Sequence, residues 1–459
     1  MSSLYSSEDR KLQAAQASSS GLLERWLTLI DAYPFRILAL IVVLGIVVSL
    51  ALNMESLPPA PNAGENDSWW TIAQNLAHGQ GYRLCLPRYF PFCDPNNQIT
   101  AAREPLPVLL FAVVAFLSGG SLWAATVVEW SLYLTILVVI YFLTREWLNT
   151  RAALLAALLW AVYIPAIELI PQVSGDLLAA LLVSLGILFV LRARRTGRIR
   201  DWVLAGTSLG LAVVSRSGTL VVAAILIAGV LLEGWRQRVR LQEIVIRGLI
   251  FSGLVVLFLG PWLIRNEMAF GRPVLGSSLV GYNLYRHNYM LGTGSYFHYV
   301  GGEEGLKAIL ALVGRRTDLS GTENEAQMDA VYRGEALAII RAHPVQYVLL
   351  SAYRFLPLWF NWGYFEAYGA RIGREDQFIM VFQAVLLIFA LIGLRGDLRR
   401  TWPLWGSVLA ISLIYMAVDS QLLYLMPIVP LVISLSAAGA NKLLGKLVPS
   451  PAHISLRAE

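Results

Sequence analysis

The segment ILALIVVLGIVVSLAL, residues 37 to 52, decides the class of fold because it contains no charged side chain. Apolar runs of about 20 residues cross a bilayer as helices. Similar runs of Leu, Val, Ile and Ala recur along most of the chain. No convincing small-residue cleavage site follows this first run, so we expect it to remain as a membrane anchor.

The composition also indicates a membrane protein. Of the 459 residues, 57% are hydrophobic and 14% are charged, and the mean hydropathy is +0.60. Soluble domains carry about 25% charged residues. A membrane β-barrel would show alternating strands of about 10 residues, whereas this chain has unbroken apolar runs. The sequence therefore predicts an all-α polytopic membrane protein.

Further apolar stretches set the expected size of the helical bundle. The stretch at 105–118 is short for a spanning helix, and we expect it to be tucked or re-entrant. We expect about 9 to 12 membrane helices. The stretches after the first span are 105–118, 121–143, 152–167, 177–191, 202–214, 218–233, 248–264, 345–360, 379–394, 402–418 and 421–438.

The positive charge of the chain indicates its topology. The formal net charge is +6, and arginines cluster in three short loops, at residues 192–200, 236–247 and 395–400. Short basic loops stay in the cytoplasm under the positive-inside rule. The basic residues are thus explained without a nucleic-acid partner, and we expect none.

The same rule divides the chain into segments. Both long polar segments are expected outside the cytoplasmic (inner) membrane, and both termini inside. The expected units are a partly disordered cytoplasmic arm (1–35), a membrane core (36–264) that includes an outer loop (54–104), an extracytoplasmic polar segment (265–344), C-terminal membrane helices (345–440) and a cytoplasmic tail (441–459).

The outer loop contains the unusually polar stretch AGENDSWWTIAQNLAHGQGY, residues 63 to 82. Asp67 precedes a segment with apolar residues at helical spacing, and aspartate is a favoured N-cap residue. Asp67 is therefore a helix cap, a catalytic carboxylate, or both. Trp69 and Trp70 suggest that this helix lies in the headgroup layer, where amphipathic rings concentrate.

The same loop holds the only cysteines of the chain, Cys85 and Cys93, in CLPRYFPFC. An oxidising compartment permits a disulfide between them. A metal site with His78 and Asp94 would lack further ligands. We therefore predict a disulfide and no metal site, and leave open whether the reaction needs a divalent cation.

Charged residues also mark the ends of apolar stretches. Arg103 and Glu104 precede one stretch, where they form either a local ion pair or a site that orients a charged ligand. Glu168 and Asp176 lie in YIPAIELIPQVSGD, residues 163 to 176. Ionisable groups near the membrane are functional candidates, although Asp176 has an alternative role as an N-cap.

Two arginines are candidates for contact with a lipid phosphate, because the planar guanidinium matches phosphate oxygens. Arg216 interrupts an apolar region in VVSRSGTL, residues 213 to 220, at an expected outer hairpin. Arg265, followed by Asn266, ends a span in PWLIRNE, residues 261 to 267. Arg265 has the alternative role of an interfacial anchor beside Trp262.

Taken in order, these motifs resemble the bacterial membrane glycosyltransferases of GT-C type, in particular protein O-mannosyltransferase-like and aminoarabinose-transferase-like enzymes. The resemblance covers most of residues 37 to 300. It implies a GT-C-like helical bundle and a sugar donor carried on a polyprenyl phosphate, with transfer on the outer face of the membrane. The motifs are Asp67, TIAQNLAHGQGY (71–82), AREP (102–105), PWLIRNEMAFGRPVL (261–275) and GYNLYRHN (281–288).

The resemblance implies roles for single residues. Asp67 matches a first-loop acid that acts as general base or positions the acceptor, and Glu168 or Asp176 falls where several members hold another acid. Arg265 would help to hold the lipid phosphate. Family members often carry an Arg-Tyr pair before the last helix, but DSQLLYLMPIVP (419–430) contains no arginine.

The expected function is inverting glycosyl transfer, with Asp67 as base, to a glycan, lipid or protein acceptor. The main alternative is a transporter or flippase for a lipid-linked sugar. That alternative predicts ionisable residues inside the spans and internal repeats, whereas the spans are almost free of charge apart from Arg216. A ligase or polymerase that joins lipid-linked oligosaccharides would share the same kind of donor.

Overall fold

The computed structural model describes residues 29–56, 68–94, 98–362, 372–395 and 398–447. Within these ranges the regular structure is helical, and the β-type pairing is one isolated bridge between Arg83 and Ile99. This confirms the prediction of an all-α protein. Asp67, most of the cytoplasmic arm and the end of the tail lie outside the described residues.

Ten α-helices lie among the described residues between 29 and 270. The same described residues include two short 3₁₀ helices, Met54–Ser56 and Ser217–Thr219. The α-helices are α1 Pro34–Leu52, α2 Ser68–Ala77, α3 Pro105–Ser118, α4 Leu122–Trp147, α5 Thr150–Ala161, α6 Ile164–Ile167, α7 Asp176–Thr196, α8 Ile199–Val213, α9 Leu220–Arg236 and α10 Leu241–Phe270.

The second half of the chain is also helical where it is described. It includes the 3₁₀ helices Tyr289–Gly292 and Leu422–Ile428. The α-helices are α11 Val280–Arg286, α12 Gly302–Arg315, α13 Glu325–Ala342, α14 Pro344–Tyr353, α15 Phe355–Phe360, α16 Arg374–Leu394, α17 Leu398–Val418 and α18 Val429–Leu447.

Eight helical segments among the described residues are long and apolar enough to cross a membrane. They correspond to α1, α4, α7, α9, α10, α16, α17 and the 3₁₀–α18 segment Leu422–Gly445. The helices α3, α5 and α8 are shorter, with 14, 12 and 15 residues. The predicted number of about 9 to 12 is therefore reached only when these shorter helices are counted. The chain is a multi-pass membrane protein.

The short apolar stretch at 105–118 forms α3, whose bounds match the sequence prediction. Its 14 residues rise by about 21 Å, less than the ~30 Å hydrocarbon core. The stretch at 345–360 is also irregular, since it is divided into α14 and α15 at Arg354. The first of these departures was expected from the sequence, since 105–118 is short for a spanning helix.

The bundle is organised around α7 and the C-terminal helices. The helix α7 packs against α4, α8 and the 3₁₀ helix Leu422–Ile428. The helices α16 and α18 approach closely because Gly393 faces the backbone of Leu435 and Gly439 faces that of Phe389, where a Cβ atom would not fit. Small residues allow such close contacts between helices in membranes.

The two ends of the bundle differ in charge. At the end that we call the arginine-loop end, Arg194 pairs with Glu233 and donates hydrogen bonds to the carbonyl groups of Arg399 and Arg400. The basic loops between α7 and α8, α9 and α10, and α16 and α17 therefore lie together. The opposite end holds the start of α7, the α8–α9 turn and both polar segments.

The two polar segments pack on each other at that opposite end. Tyr89 and Phe90 of the first segment share a buried cluster with Tyr282 and Tyr332 of the second. The Tyr332 hydroxyl donates a hydrogen bond to the Tyr89 carbonyl at 2.9 Å. The second segment is thus a helical unit, built from α11 to α13, that is anchored to the first.

The structure joins Cys85 and Cys93 in a disulfide within the first segment, with Cα atoms 5.4 Å apart. Replacing both cysteines by serine is expected to lower the free energy of unfolding by about 2–3 kcal/mol, since the closed loop restricts the unfolded chain. Melting temperatures of wild type and variant, each with and without reductant, measure this effect. A variant that melts like the oxidised wild type contradicts it.

The helix α2 departs from the sequence prediction in one respect. Trp69 and Trp70 are 4% and 5% exposed and pack with Val108 and Phe111 of α3. The rings therefore pack inside the protein and not against lipid headgroups, while the position of α2 at headgroup depth stays a prediction. The short helix α3 covers both rings, so they stabilise the contact between α2 and α3 and do not face lipid.

Candidate active site

Residues from three separate elements meet at the end of the bundle opposite the arginine-loop end. The Nη2 atom of Arg216 lies 2.7 Å from Oδ1 of Asp176. The Oε1 atom of Glu104 accepts hydrogen bonds from the backbone N–H of Ser217 at 2.9 Å and from its hydroxyl at 2.7 Å. Asp176 is 1% exposed and Glu104 is 5% exposed. The start of α3, the start of α7 and the α8–α9 turn thus form one buried charged cluster.

Close backbone contacts hold these elements together. The N–H of Leu106 donates to the carbonyl of Val214 at 3.0 Å. Gly175 is the N-cap of α7, and a Cβ atom at this position would lie 2.8 Å from both Pro107 Cγ and the Ser215 carbonyl. Only a glycine allows this approach without displacing its neighbours.

Asp176 is the first residue of α7, and Gly175 occupies the N-cap position. The alternative that Asp176 is an N-cap is therefore wrong. Its carboxylate is directed to Arg216, because a buried carboxylate needs a compensating charge. The predicted location of Arg216 in a hairpin holds, since it follows α8 and precedes the Ser217–Thr219 turn.

Arg103 lies on the side of the cluster that faces α2. Its Nε donates a hydrogen bond to the Ser68 hydroxyl at 2.7 Å, and its guanidinium lies 5.6 Å from the centre of the Trp69 ring. Glu104 contacts Ser217 instead. The two sequence neighbours therefore contact different elements: Arg103 contacts α2, and Glu104 contacts the α8–α9 turn. Arg103 links the first turn of α2 to the start of α3.

The second polar segment positions the backbone around Arg103. Glu325, the first residue of α13, accepts hydrogen bonds from the Ala101 N–H at 2.9 Å and from the Ser278 hydroxyl at 2.7 Å. The Ser277 hydroxyl donates to the Ala102 carbonyl at 2.8 Å. The second polar segment therefore holds Ala101 and Ala102, the two residues that immediately precede Arg103.

A series of polar side chains in contact with one another reaches Arg216 from the C-terminal third. The guanidinium of Arg216 lies 5.4 Å from the centre of the Tyr424 ring. The Tyr424 hydroxyl donates to Oδ2 of Asp419 at 2.8 Å, and Oδ1 of Asp419 lies 2.9 Å from Nε2 of His287. The 419–430 stretch lacks an arginine of its own, but Arg216 meets its tyrosine from another loop.

Nearby charge and hydrogen bonds keep the Asp419 carboxylate ionised. Burial would raise the pKa of Asp419, but the neighbouring His287 and the hydrogen bonds from His287 and Tyr424 outweigh burial and lower that pKa to about 2. Arg354 holds the same region by donating to the Ala417 carbonyl at 3.1 Å and to Asn288 Oδ1 at 3.1 Å. The end of α17 is thereby fixed against the second polar segment.

Sequence reasoning missed Glu129, which lies in α4 and is fully buried. Its Oε1 accepts a hydrogen bond from the Ser174 N–H at 3.0 Å. Its Oε2 has no hydrogen-bond partner among the described residues. The available signal was a lone acid in the first half of an apolar span, since such groups are functional candidates. The statement that Arg216 alone interrupts the spans is therefore corrected.

Glu168, the alternative second acid, has a different set of neighbours. It follows α6, and loss of hydration together with the carboxylates of Glu375 and Asp376 raises its pKa to about 7. The contacts described for Asp176 and Arg216 do not include Glu168. Whether it takes part in chemistry stays a prediction.

Arg265 and Asn266 make contacts that connect α10 to the first polar segment. Arg265 Nη1 donates to the Thr100 carbonyl at 2.9 Å, and its guanidinium lies 5.1 Å from the Tyr82 ring centre. Asn266 is fully buried and donates to the Val274 carbonyl at 2.9 Å. Arg265 also lines an open groove of about 710 Å³. These contacts favour anchoring by Arg265, although its guanidinium borders that groove.

No group of three or more His, Cys, Asp or Glu side chains within the described ranges is arranged to hold a metal ion. His78 hydrogen-bonds through Nδ1 to the Gln74 carbonyl at 2.8 Å. The side chains of the described cluster are carboxylates, guanidinium groups and a hydroxyl.

The helical bundle and its buried cluster of carboxylates and arginines define a multi-pass membrane protein with a polar site at one end. Residues 102–264 match the family model described as dolichyl-phosphate-mannose-protein mannosyltransferase. This segment contains Arg103, Glu104, Asp176 and Arg216. No curated protein matches the sequence.

Solved structures that match this chain include an oligosaccharyltransferase. The oligosaccharyltransferase AglB from Archaeoglobus fulgidus, in complex with an inhibitory peptide and a dolichol-phosphate, gives a TM-score of 0.57 at 15% identity, covering 94% of this chain and 52% of that chain. ArnT from Cupriavidus metallidurans bound to undecaprenyl phosphate gives a TM-score of 0.37 at 15% identity, covering 90% of this chain and 79% of that chain. The chain thus spans about half the length of AglB. The likeness to AglB, with the matched family model, confirms a GT-C-like fold.

Proposed function

We propose that this protein is a glycosyltransferase that moves a sugar from a polyprenyl-phosphate donor to a glycan, lipid or protein acceptor. The observation that carries the proposal is the convergence of Arg103, Glu104, Asp176 and Arg216 at one end of the bundle. All four lie within the segment that matches the mannosyltransferase model. The dolichol-phosphate in the AglB complex supports a lipid-phosphate ligand for this fold.

The chemistry follows from the side chains at the site. The bond between the anomeric carbon and the phosphate oxygen breaks, and the lipid phosphate leaves with the electron pair. Arginines stabilise the charge that develops on the leaving phosphate, and we assign this role to Arg216 and Arg103. The acceptor oxygen or nitrogen attacks the opposite face of the sugar, so the configuration inverts, and its proton passes to Asp67 as general base.

The remaining groups have positioning roles in this proposal. Asp176 fixes the guanidinium of Arg216, and Glu104 fixes the turn that carries it. Arg265 borders the open groove described above and is the next candidate for a phosphate contact, while the buried Asn266 holds the end of α10 through the Val274 carbonyl. Glu168 remains an alternative second acid at the outer hairpin. A divalent cation is compatible with the acids but is not required by the proposal.

The orientation in the membrane is also part of the proposal. Basic loops remain cytoplasmic, so the arginine-loop end faces the cytoplasm and the charged cluster faces outward. The segments 54–104 and 265–344 are then extracytoplasmic, and both termini are cytoplasmic. We assign the protein to the cytoplasmic (inner) membrane, with transfer on its outer face.

The test uses the purified protein in liposomes with polyprenyl-phosphate hexose or pentose donors and, as acceptor, envelope material from a strain that lacks the gene. We expect free polyprenyl phosphate to form in step with a glycosylated acceptor, both detected by mass spectrometry. A transporter would move the intact donor between leaflets without cleaving it. A ligase or polymerase would transfer an oligosaccharide and leave single-sugar donors intact.

A further inference from the structure

A second polar pocket lies at the arginine-loop end, far along α7 from Asp176. It has a volume of about 550 Å³, and its lining includes Arg194, Arg195, Arg247, Arg399, Arg400 and Trp202. The pocket is formed by the ends of α4, α7 and α9 and by the starts of α8, α10 and α17. It shares no residue with the candidate active site.

Cations outnumber anions in this pocket. Five arginines line it, against Glu146 and Glu233. Both carboxylates are already engaged: Glu233 with Arg194 at 2.7 Å, and Glu146 with Arg195 at 2.9 Å. Among the described residues, the Arg399 guanidinium has no ion-pair partner, and Arg247 has only an exposed contact with Glu243 at 3.2 Å. The pocket therefore retains positive charge for an anionic ligand.

An unsatisfied donor is an independent sign of a ligand. Trp202 is 2% exposed, and its Nε1–H has no hydrogen-bond partner in the described part of the chain. A buried donor without a partner is unfavourable, because it has lost its hydrogen bond to water. The Arg247 guanidinium lies 5.4 Å from the centre of the same ring. An acceptor oxygen bound near Arg247 is therefore close to this indole.

The position and the other lining residues indicate which anion fits. Leu191, Val230 and Val239 line the pocket beside the arginines. Trp235 is 72% exposed at the same end of the bundle, and tryptophans concentrate at headgroup depth. A soluble anion would leave the apolar lining unused, whereas a phospholipid has both a phosphate and acyl chains. Basic pockets between membrane helices recognise such headgroups.

We propose that this pocket binds the phosphate of an anionic membrane lipid, with its acyl chain against the apolar lining. The site is distinct from the sugar-transfer site, and its test does not depend on transfer activity. The arginines supply charge-assisted hydrogen bonds, and Trp202 supplies a neutral donor to a phosphate oxygen.

The experiment measures lipid binding to the purified full-length protein by native mass spectrometry. We expect phosphatidylglycerol to bind at least tenfold more tightly than phosphatidylcholine. The double variant Arg247→Gln with Arg399→Gln should lose at least tenfold of that affinity, while Arg395→Gln, which lies outside the pocket lining, should not. Trp202→Phe keeps an aromatic ring, removes the N–H and should weaken binding several-fold.

Melting temperatures confirm that each variant is folded. Equal affinity for the two lipids, or unchanged phosphatidylglycerol binding by the double variant and by Trp202→Phe, overturns the proposal. Displacement of phosphatidylglycerol by inorganic phosphate at millimolar concentration would identify a soluble phosphate as the ligand and overturn the lipid assignment. Preference for phosphatidylglycerol that inorganic phosphate does not abolish supports it.

Discussion

Replacing Asp67 by asparagine is expected to lower the turnover of sugar transfer by about 10²- to 10⁴-fold, the range associated with the loss of a general base. Asparagine has the size of aspartate and caps helices about as well. The start of α2 should therefore form normally, and the contact of Arg103 with Ser68 should persist. The lost group is the carboxylate that accepts the proton, so we expect the KM for the lipid donor to change little.

Two further variants separate catalysis from capping. Asp67→Ala removes the carboxylate and replaces a favoured N-cap residue by a poor one, and should also reduce stability by about 1 kcal/mol. Glu65→Gln removes an acid from the same stretch, AGENDSWW, and should leave turnover unchanged. Steady-state kinetics with a polyprenyl-phosphate donor and melting temperatures give both readouts. Wild-type turnover by a folded Asp67→Asn protein would exclude Asp67 as the base.

The sequence was sufficient to predict the helical membrane architecture, because bilayer thickness sets the length of an apolar helix that spans the membrane. The run at 37–52 became α1, Pro34–Leu52, and the short run at 105–118 became α3 with the same bounds. Hydropathy does not reveal how a short helix is covered. For that reason Trp69 and Trp70 were assigned to the headgroup layer, whereas α3 buries them.

The candidate site was predictable as a set of residues but not as a set of contacts. Charge near a span end selected Arg103, Glu104, Asp176 and Arg216 one by one. Their arrangement depends on packing between distant elements, such as the fit of Gly175 against Pro107. Local rules consequently gave Asp176 a possible capping role, while the tertiary structure gives it Arg216 as partner.

The residues that sequence reasoning missed lie where local patterns carry little information. Glu129 is one acid in an apolar helix, and its contact with the Ser174 N–H joins elements separated by 45 positions. Asp419, Tyr424 and His287 come from the C-terminal third and the second polar segment. The 419–430 stretch departs from the resemblance because it has no arginine of its own, and its tyrosine meets an arginine from another loop.

Removing Arg216 is expected to have the largest combined effect on stability and transfer. Arg216→Met leaves the Asp176 carboxylate, which is 1% exposed, without a compensating charge. Breaking a buried ion pair in this way costs about 3–5 kcal/mol. Transfer should also fall by about 10²-fold or more, because the leaving phosphate loses a fixed positive group. Asp176→Asn should destabilise the protein too, whereas Arg341→Met, at an exposed arginine of α13 outside the cluster, is the matched control with little effect on either readout.

The double variant Asp176→Asn with Arg216→Met decides whether Arg216 acts on the donor or only on Asp176. Removing both charges leaves no buried ion unpaired, so stability should recover relative to Arg216→Met, and the coupling is measured as a double-mutant cycle. Transfer should stay low if the guanidinium stabilises the leaving phosphate, since methionine offers no charge. If transfer recovers together with stability, Arg216 has a structural role alone, and the phosphate must be held by other cations, with Arg103 the first to test.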